Sequence, residues 1–368
     1  MTENRHLSLC MIVKNEEDCI ERCLKSVEKV VDEIIIVDTG STDQTVEICQ
    51  SYGAKVYPFS WNGSFANARN YGIEKAIGNW ILWLDADEEI AAEDRMKLKD
   101  QINFPEEFDL LTAHLINYYG DTPDPNNVSQ ISQVRFFRNH LGMKFQNDIH
   151  ETLPISNRDR VGTLPVKIYH FGYLNSYVDG KGKSKRNIEL LKKQVELSPD
   201  GWMCFYLSME YYRIKELTDA FNYVNESIRL FLGQKSLPPS MVYKLKYAIL
   251  IDLQCWDEAL EGIKRVVLLY PDYVDLWYYM GFILYNKEMY SDAVKSFEKC
   301  IEIGEGNLNY YSVKGVGSFL AWYYKGLCLK NSGRKDEALS CFQQVLTIYE
   351  SYPPALEAIS ELTGEGQI

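Results

Sequence analysis

The hydrophobic pattern of this 368-residue chain changes near residue 185, and no other feature constrains its fold as strongly. Before that point, short apolar runs alternate with segments of helical spacing; after it, helical spacing continues almost to the end. We therefore predict an α/β domain over residues 1–184 and an all-α domain over residues 185–368.

Strands and helices alternate in the first part of the chain. We predict strands over residues 7–13, 33–38, 54–59 and 80–84, and helices over residues 16–30, 43–52 and 65–76, the second one capped by Ser41 or Thr42. A parallel crossover needs about a dozen residues, so this order indicates βαβ units. Later apolar runs, at 110–116, 134–137 and 166–171, are predicted to be antiparallel strands that complete a mixed sheet.

The helical half contains a repeat. The segment at residues 257–260 recurs thirty-four residues later at 291–294 and again at 336–339, with a looser copy at 218–221. The last interval is longer, which predicts an insertion of about eleven residues within 304–317. A small alanine at this period lets two helices approach closely, and the pattern resembles tetratricopeptide repeats.

Composition excludes several classes of protein. The formal net charge is −13 and no basic stripe is present, which argues against nucleic-acid binding. No apolar run reaches the roughly 18 residues of a transmembrane helix, and residues 1–6 do not resemble a signal peptide. The nine cysteines have neither disulfide nor zinc spacing, so we expect free thiols in a cytoplasmic protein.

Carboxylates follow two of the predicted strands. Asp38 ends the second strand, while Asp85 and Asp87 follow the apolar run at 80–84. Parallel strands bring their carboxyl ends to one edge of a sheet, and alternation places Asp85 and Asp87 on one face. Two hard oxygen ligands there suit a divalent cation that also holds a phosphate.

Three motifs in this order resemble family 2 glycosyltransferases with the GT-A fold: MIVKNEE at 11–17, IVDTGSTD at 36–43 and DAD at 85–87. Lys14 stands where that family typically has tyrosine. The resemblance continues through segments at 65–70, 148–151, 169–173 and 183–187 into the repeats. Over nearly the whole chain, it is most similar to the peptide S-glycosyltransferases of glycocin biosynthesis, which modify a cysteine or serine of a bacteriocin precursor.

The resemblance implies a Rossmann-like, mixed-sheet GT-A domain and assigns roles to individual residues. Asp38 would contact the uracil, Arg69 the diphosphate, and Asp85 the ribose or the water shell of the metal. Asp87 and His170 would ligate Mn²⁺ or Mg²⁺. The full set of residues implied to bind the nucleotide sugar is Val13, Glu16, Asp38, Arg69, Asp85 and Ala86.

The segment at 148–151 supplies the candidate base. Transfer with inversion needs a group that deprotonates the acceptor opposite the leaving diphosphate. We favour Glu151, with His150 orienting it or contacting the sugar or the diphosphate; the sequence does not decide between this assignment and the reverse.

These inferences predict an inverting, metal-dependent enzyme that moves a hexose, glucose foremost, from a UDP-sugar to a cysteine or serine of a peptide. The same donor chemistry on a cell-envelope glycan, a lipid-linked sugar or flagellin is the alternative. A third hypothesis is that the protein is a non-catalytic repeat scaffold. The presence of Asp38, Asp85, Asp87 and Glu151 argues against it. The repeats would hold the peptide acceptor or form a homodimer.

Overall fold

The computed structural model describes residues 7–100, 107–156, 158–178 and 183–364. The chain divides into two compact units, of which the first comprises Met1–Asp124 with Ile131–Lys181 and the second Pro125–Gln130 with Gly182–Ile368. The predicted boundary after residue 184 stays a prediction, because residues 179–182 lie outside the described part of the chain.

The first unit contains most of a mixed sheet with the strand order β3-β2-β1-β4-β7-β6-β8-β5; the first three residues of β7 are grouped with the second unit. Its strands are β1 (Leu7–Val13), β2 (Glu33–Asp38), β3 (Lys55–Pro58), β4 (Trp80–Trp83), β5 (Glu88–Ile90), β6 (Leu110–Tyr118), β7 (Val128–Arg138) and β8 (Val161–His170). Its helices are α1 (Ile20–Val27), α2 (Thr45–Ser51), α3 (Phe65–Ile73), α4 (Arg95–Asp100) and α5 (Asn175–Val178). A 3₁₀ turn, Ala92–Asp94, precedes α4.

The first half of the sheet is parallel, as the βαβ pattern predicts. β1 pairs in parallel with both β2 and β4, so the carboxyl ends of these strands lie at the same edge. Both faces of β1 are covered, and six of its seven residues are buried, as is typical of strands in parallel sheets.

The second half of the sheet is only partly antiparallel. β7 runs antiparallel to β4, and β8 antiparallel to β5. The predicted antiparallel arrangement is wrong for β6 and β8, which pair in parallel. In the sheet, β6 lies between β7 and β8. The long connection from β7 to β8 lets the chain cross to the other side of β6, where β8 runs in the same direction as β6.

Helix α1 is shorter than predicted because residues before it bind the loop after β2. Asn15 N donates to Ser41 Oγ at 3.0 Å, and Thr42 N donates to Asn15 Oδ1 at 2.8 Å. The prediction that Ser41 or Thr42 caps α2 is therefore wrong. The N-cap position of α2 is Gln44, and the carboxylate of Asp43, one residue earlier, accepts from Thr45 N at 3.1 Å.

The second unit is built from helix pairs. Its helices are α6 (Lys183–Leu197), α7 (Gly201–Arg213), α8 (Leu217–Gly233), α9 (Ser240–Asp252), α10 (Trp256–Leu269), α11 (Val274–Asn286), α12 (Tyr290–Ile303), α13 (Phe319–Asn331), α14 (Lys335–Ile348) and α15 (Pro353–Thr363). The repeated alanines, Ala220, Ala259, Ala293 and Ala338, are all fully buried. Each therefore occupies the close helix crossing that its repeat predicts.

The predicted insertion lies between α12 and α13. It contains the short strand β9 (Ser312–Val313), which pairs with Ser129 and Gln130 inside the second unit. All nine cysteines are free thiols. In the described ranges, no helix combines the length and apolarity needed to cross a bilayer.

Candidate functional site

The carboxyl edge of the parallel strands brings together the residues predicted to bind the donor. Val13, the last residue of β1, is paired with Asp38, the last of β2. Thr39 N donates to Val13 O at 3.0 Å, which ties the two loops together. Asn15 and Gly40 turn these loops with positive φ angles of 54° and 102°. Such turns favour glycine and asparagine.

Asp38 is held by its own turn. Its Oδ1 accepts from Ser41 N at 3.0 Å, and its Oδ2 lies 3.2 Å from Gly40 N. A carboxylate offers about four lone-pair positions, so the half-buried group keeps capacity to accept a further hydrogen bond. The Glu16 backbone N–H donates to Thr45 Oγ1 at 2.8 Å, which fixes the neighbouring loop.

Arg69 joins two carboxylates that are far apart in the chain. It projects from α3, whose N-terminus is capped by Ser64. Its Nη2 donates to Asp85 Oδ1 at 2.7 Å and its Nε to Glu151 Oε1 at 2.6 Å. The resemblance implied a diphosphate contact for Arg69. The structure places Arg69 between these two acids, with 7% of its side chain exposed.

The charges of this cluster shift its pKa values. Burial alone would lower the pKa of Arg69, but the charges of Asp85 and Glu151 raise it. Burial alone would raise the pKa of Asp85, but Arg69 and Arg135 outweigh it and lower that pKa to about 2. Both groups are therefore ionised at neutral pH.

Asp87 and His170, the two residues predicted to ligate a metal, lie side by side. His170 Nε2 is 3.5 Å from Asp87 Oδ1, while its Nδ1 is 2.7 Å from Asn117 Oδ1. The amide oxygen orients the ring so that Nε2 faces the carboxylate. Burial would lower the pKa of His170, but the hydrogen bond to Asp87 and the surrounding acids raise it.

Gly172 leaves room beside this pair. A Cβ at Gly172 would overlap Asp87 Oδ2 and lie 2.7 Å from His170 Nε2. No cluster of three or more His, Cys, Asp or Glu side chains that could hold a metal ion occurs among the described residues. The pair offers one oxygen and one nitrogen donor, which fits a cation completed by oxygens of a bound ligand.

The loop that carries His150 and Glu151 is anchored to α3, because Phe65 N donates to Asp148 O at 2.8 Å. His150 adopts a positive φ of 51°. The structure thus brings Glu151 to the same guanidinium as Asp85.

Ala86, between Asp85 and Asp87, is buried in the hydrophobic core. The roles predicted for these residues remain predictions.

Sequence reasoning missed four residues of this site: Glu88, Asn117, Arg135 and Gly172. Arg135 offered a signal, since a charged residue inside the predicted strand at 134–137 must be paired if it is buried. Glu88 offered a weaker one, as a third acid directly after Asp87. Asn117 and Gly172 are recognisable only from their positions against His170.

Comparison with known proteins agrees with this architecture. A profile of Glycosyl transferase family 2 matches residues 8–162, and Tetratricopeptide repeat profiles match residues 274–305 and 319–352. A TPR repeat-containing protein of Synechococcus elongatus is 29% identical over 78% of this chain and 71% of its own length. The SPbeta prophage-derived glycosyltransferase SunS of Bacillus subtilis is 29% identical over 74% of this chain and 65% of its own length.

A third relative matches a smaller share of the chain. It is an uncharacterized glycosyltransferase of Rickettsia bellii, 32% identical over 45% of this chain and 60% of its own length. The chain thus spans about two thirds of the length of the first two relatives. It combines a glycosyl transferase family 2 domain with C-terminal tetratricopeptide repeats, and it is a glycosyltransferase.

Proposed function

We propose that this glycosyltransferase moves a hexose, glucose foremost, from a UDP-sugar to a cysteine or serine of a peptide, with inversion and with a divalent cation. The observation that carries the proposal is that Arg69 forms two ion pairs. Arg69 connects Asp85, a candidate donor-binding residue, with Glu151, the candidate base. The buried guanidinium of Arg69 would therefore contact both a residue that binds the donor and the residue that deprotonates the acceptor.

The donor would lie along the carboxyl edge of β1, β2 and β4. Asp38 can accept the N3–H of uracil, while Val13, Glu16 and Ala86 would line the nucleoside. Arg69 Nη1 is buried and makes no hydrogen bond to any residue that the structure describes. A diphosphate oxygen would supply the acceptor that this N–H lacks.

Asp87 and His170 would hold Mn²⁺ or Mg²⁺ together with the diphosphate. Such a cation, when bound, neutralises charge on the departing diphosphate. Asn117 would keep His170 Nε2 directed at the site, and Gly172 would keep the space beside it open.

Glu151 would accept the proton of the acceptor. Its hydrogen bond to Arg69 uses Oε1, which leaves Oε2 for this task. His150 is the alternative base. A cysteine acceptor needs less help than serine, because a thiol ionises with a pKa of about 8.5.

The acceptor class is inferred from the resemblance to peptide S-glycosyltransferases and from the similarity to SunS, which covers 74% of this chain. We propose that the repeats hold the peptide or form a homodimer. Such helical arrays present extended surfaces that suit both tasks.

Mass spectrometry of candidate acceptors tests the function. The intact protein would be incubated with UDP-glucose or UDP-galactose, Mn²⁺ and a cysteine-containing peptide, and in parallel with flagellin or an envelope glycan. We expect one hexosyl group on the peptide, at cysteine or serine. Modification of flagellin or the glycan alone would contradict the peptide assignment.

Glu151→Gln is the matched inactive variant. We expect it to lose transfer by about 100-fold or more, as for removal of a general base, while it retains UDP binding. Glu47→Gln, which alters an exposed carboxylate on α2, serves as the control. Normal transfer by Glu151→Gln would move the role of the base to His150.

A further inference from the structure

Glu88 closes the turn that carries Asp85 and Asp87. Its backbone N–H donates to Asp85 O at 3.1 Å, and its side-chain Oε2 accepts from Asp85 N at 3.0 Å. Glu88 is the first residue of β5, and its side chain is only 1% exposed. A buried carboxylate therefore holds the backbone between two residues of the candidate site.

Arg135 pairs with this carboxylate from the other side. It lies on β7, is 3% exposed, and donates through Nη2 to Glu88 Oε1. Its guanidinium carbon lies 4.0 Å from the centre of a Trp83 ring, and that of Arg69 lies 4.7 Å from a Trp83 ring centre. Two guanidinium groups that contact the site thus pack on a single indole.

The far end of the turn is fixed as well. Glu88 is paired with His170 across β5 and β8, and Phe171 N donates to Asp87 O at 3.0 Å. The turn therefore connects the Arg69 cluster with the Asp87–His170 pair. A displacement of Glu88 would move both.

We propose that Glu88 and Arg135 are positioning residues, whose buried ion pair sets the conformation of the 85–88 turn for donor binding. The proposal rests on the proposed function. Burying two charges gives little net stability, and well-packed apolar residues often do as well or better. A role in placement explains why this pair occupies the core beside the site.

A carboxylate is needed because the two donors approach different oxygens. Arg135 donates to Oε1 and the Asp85 amide to Oε2. The side chain of Glu88→Gln has only one acceptor oxygen, so one of these hydrogen bonds is lost while the volume stays the same. That loss loosens the turn without opening a cavity.

Binding of UDP to the intact protein with Mn²⁺, measured by calorimetry, tests the proposal. We expect Glu88→Gln to weaken UDP binding by about 10- to 100-fold, the range for residues that orient metal ligands. The KM for UDP-glucose hydrolysis should rise in parallel. Asp94→Asn is the matched control, since Asp94 is also 1% exposed but accepts from Lys97 and from Lys167 N instead.

A merely structural role predicts lower thermal stability in both variants with unchanged UDP affinity, and that result would overturn the proposal. Should Glu88→Gln not fold, the double variant Glu88→Leu with Arg135→Met removes both charges and carries the same expectation. A wild-type protein that binds no UDP with Mn²⁺ would overturn the proposed function, and the positioning role with it.

Discussion

At the scale of single residues, the site is a cluster of buried arginines paired with carboxylates. Arg69 forms ion pairs with both Asp85 and Glu151, and Arg135 forms one with Glu88. Which residues lie at the edge of the sheet follows from their positions after strands. Which acid pairs with which guanidinium does not follow, because that depends on side-chain geometry between segments far apart in the chain: Arg69 and Glu151 are separated by 82 residues, and Arg135 and Glu88 by 47.

Gly172 provides a residue-scale prediction. In Gly172→Ala, the new methyl group would collide with Asp87 Oδ2 and His170 Nε2 and push the two side chains apart. We expect Mn²⁺ affinity in the presence of UDP to fall about tenfold or more, as followed by the electron paramagnetic resonance of free Mn²⁺. Gly306→Ala, at a glycine with open space around it, is the control. Wild-type affinity in Gly172→Ala would argue against a cation at this pair.

At the scale of elements, the parallel strands and the helix pairs follow from the sequence because hydrophobic periodicity encodes them. Strand β1 spans the predicted residues 7–13, and β2 the predicted 33–38. The parallel pairing of β6 with β8 does not follow from the sequence, because no helical spacing is predicted between these strands, as it is within each βαβ unit. Helix α1 also begins later than its periodicity predicts, since Asn15 N donates to Ser41 in the neighbouring loop and Glu16 N to Thr45 at the start of α2.

The start of β6 depends on an ion pair with a predictable response to pH. Asp109 accepts from Arg160 Nε at 3.0 Å and Nη2 at 2.8 Å, and these bonds lower the pKa of Asp109 to about 2. Because the folded pKa is below the unfolded value of about 3.9, the contribution is present above pH 4 and is lost as pH falls toward 2.

We expect Asp109→Asn to lower the free energy of unfolding by about 1 kcal/mol at pH 7, since Arg160 is exposed to solvent. Urea unfolding at pH 7, 5 and 3 should show the difference from wild type shrinking at the lowest pH. Glu47→Gln should change stability little at any of them. A difference that stays constant with pH would refute the ion-pair explanation.

At the scale of the whole molecule, the α/β domain followed by helical repeats is confirmed. The repeat geometry has a simple physical basis. A Cβ at Gly281 would meet the Phe297 ring at 2.8 Å, and one at Gly326 would meet Phe342 at 2.6 Å. Successive repeats thus place a large ring against a glycine at the same spacing. The grouping of residues 125–130 with the repeats had no signal in the sequence, because it depends on a two-residue strand inside an insertion.

The central claim is that Asp87 helps to hold a metal and diphosphate for sugar transfer, and release of UDP from UDP-glucose tests it most directly. We expect turnover by the wild-type protein with Mn²⁺, loss of turnover with a chelator, and a decrease of about 100-fold or more in Asp87→Asn with unchanged circular dichroism. Turnover in Asp87→Asn equal to that of wild type, or turnover unaffected by the chelator, would contradict the claim.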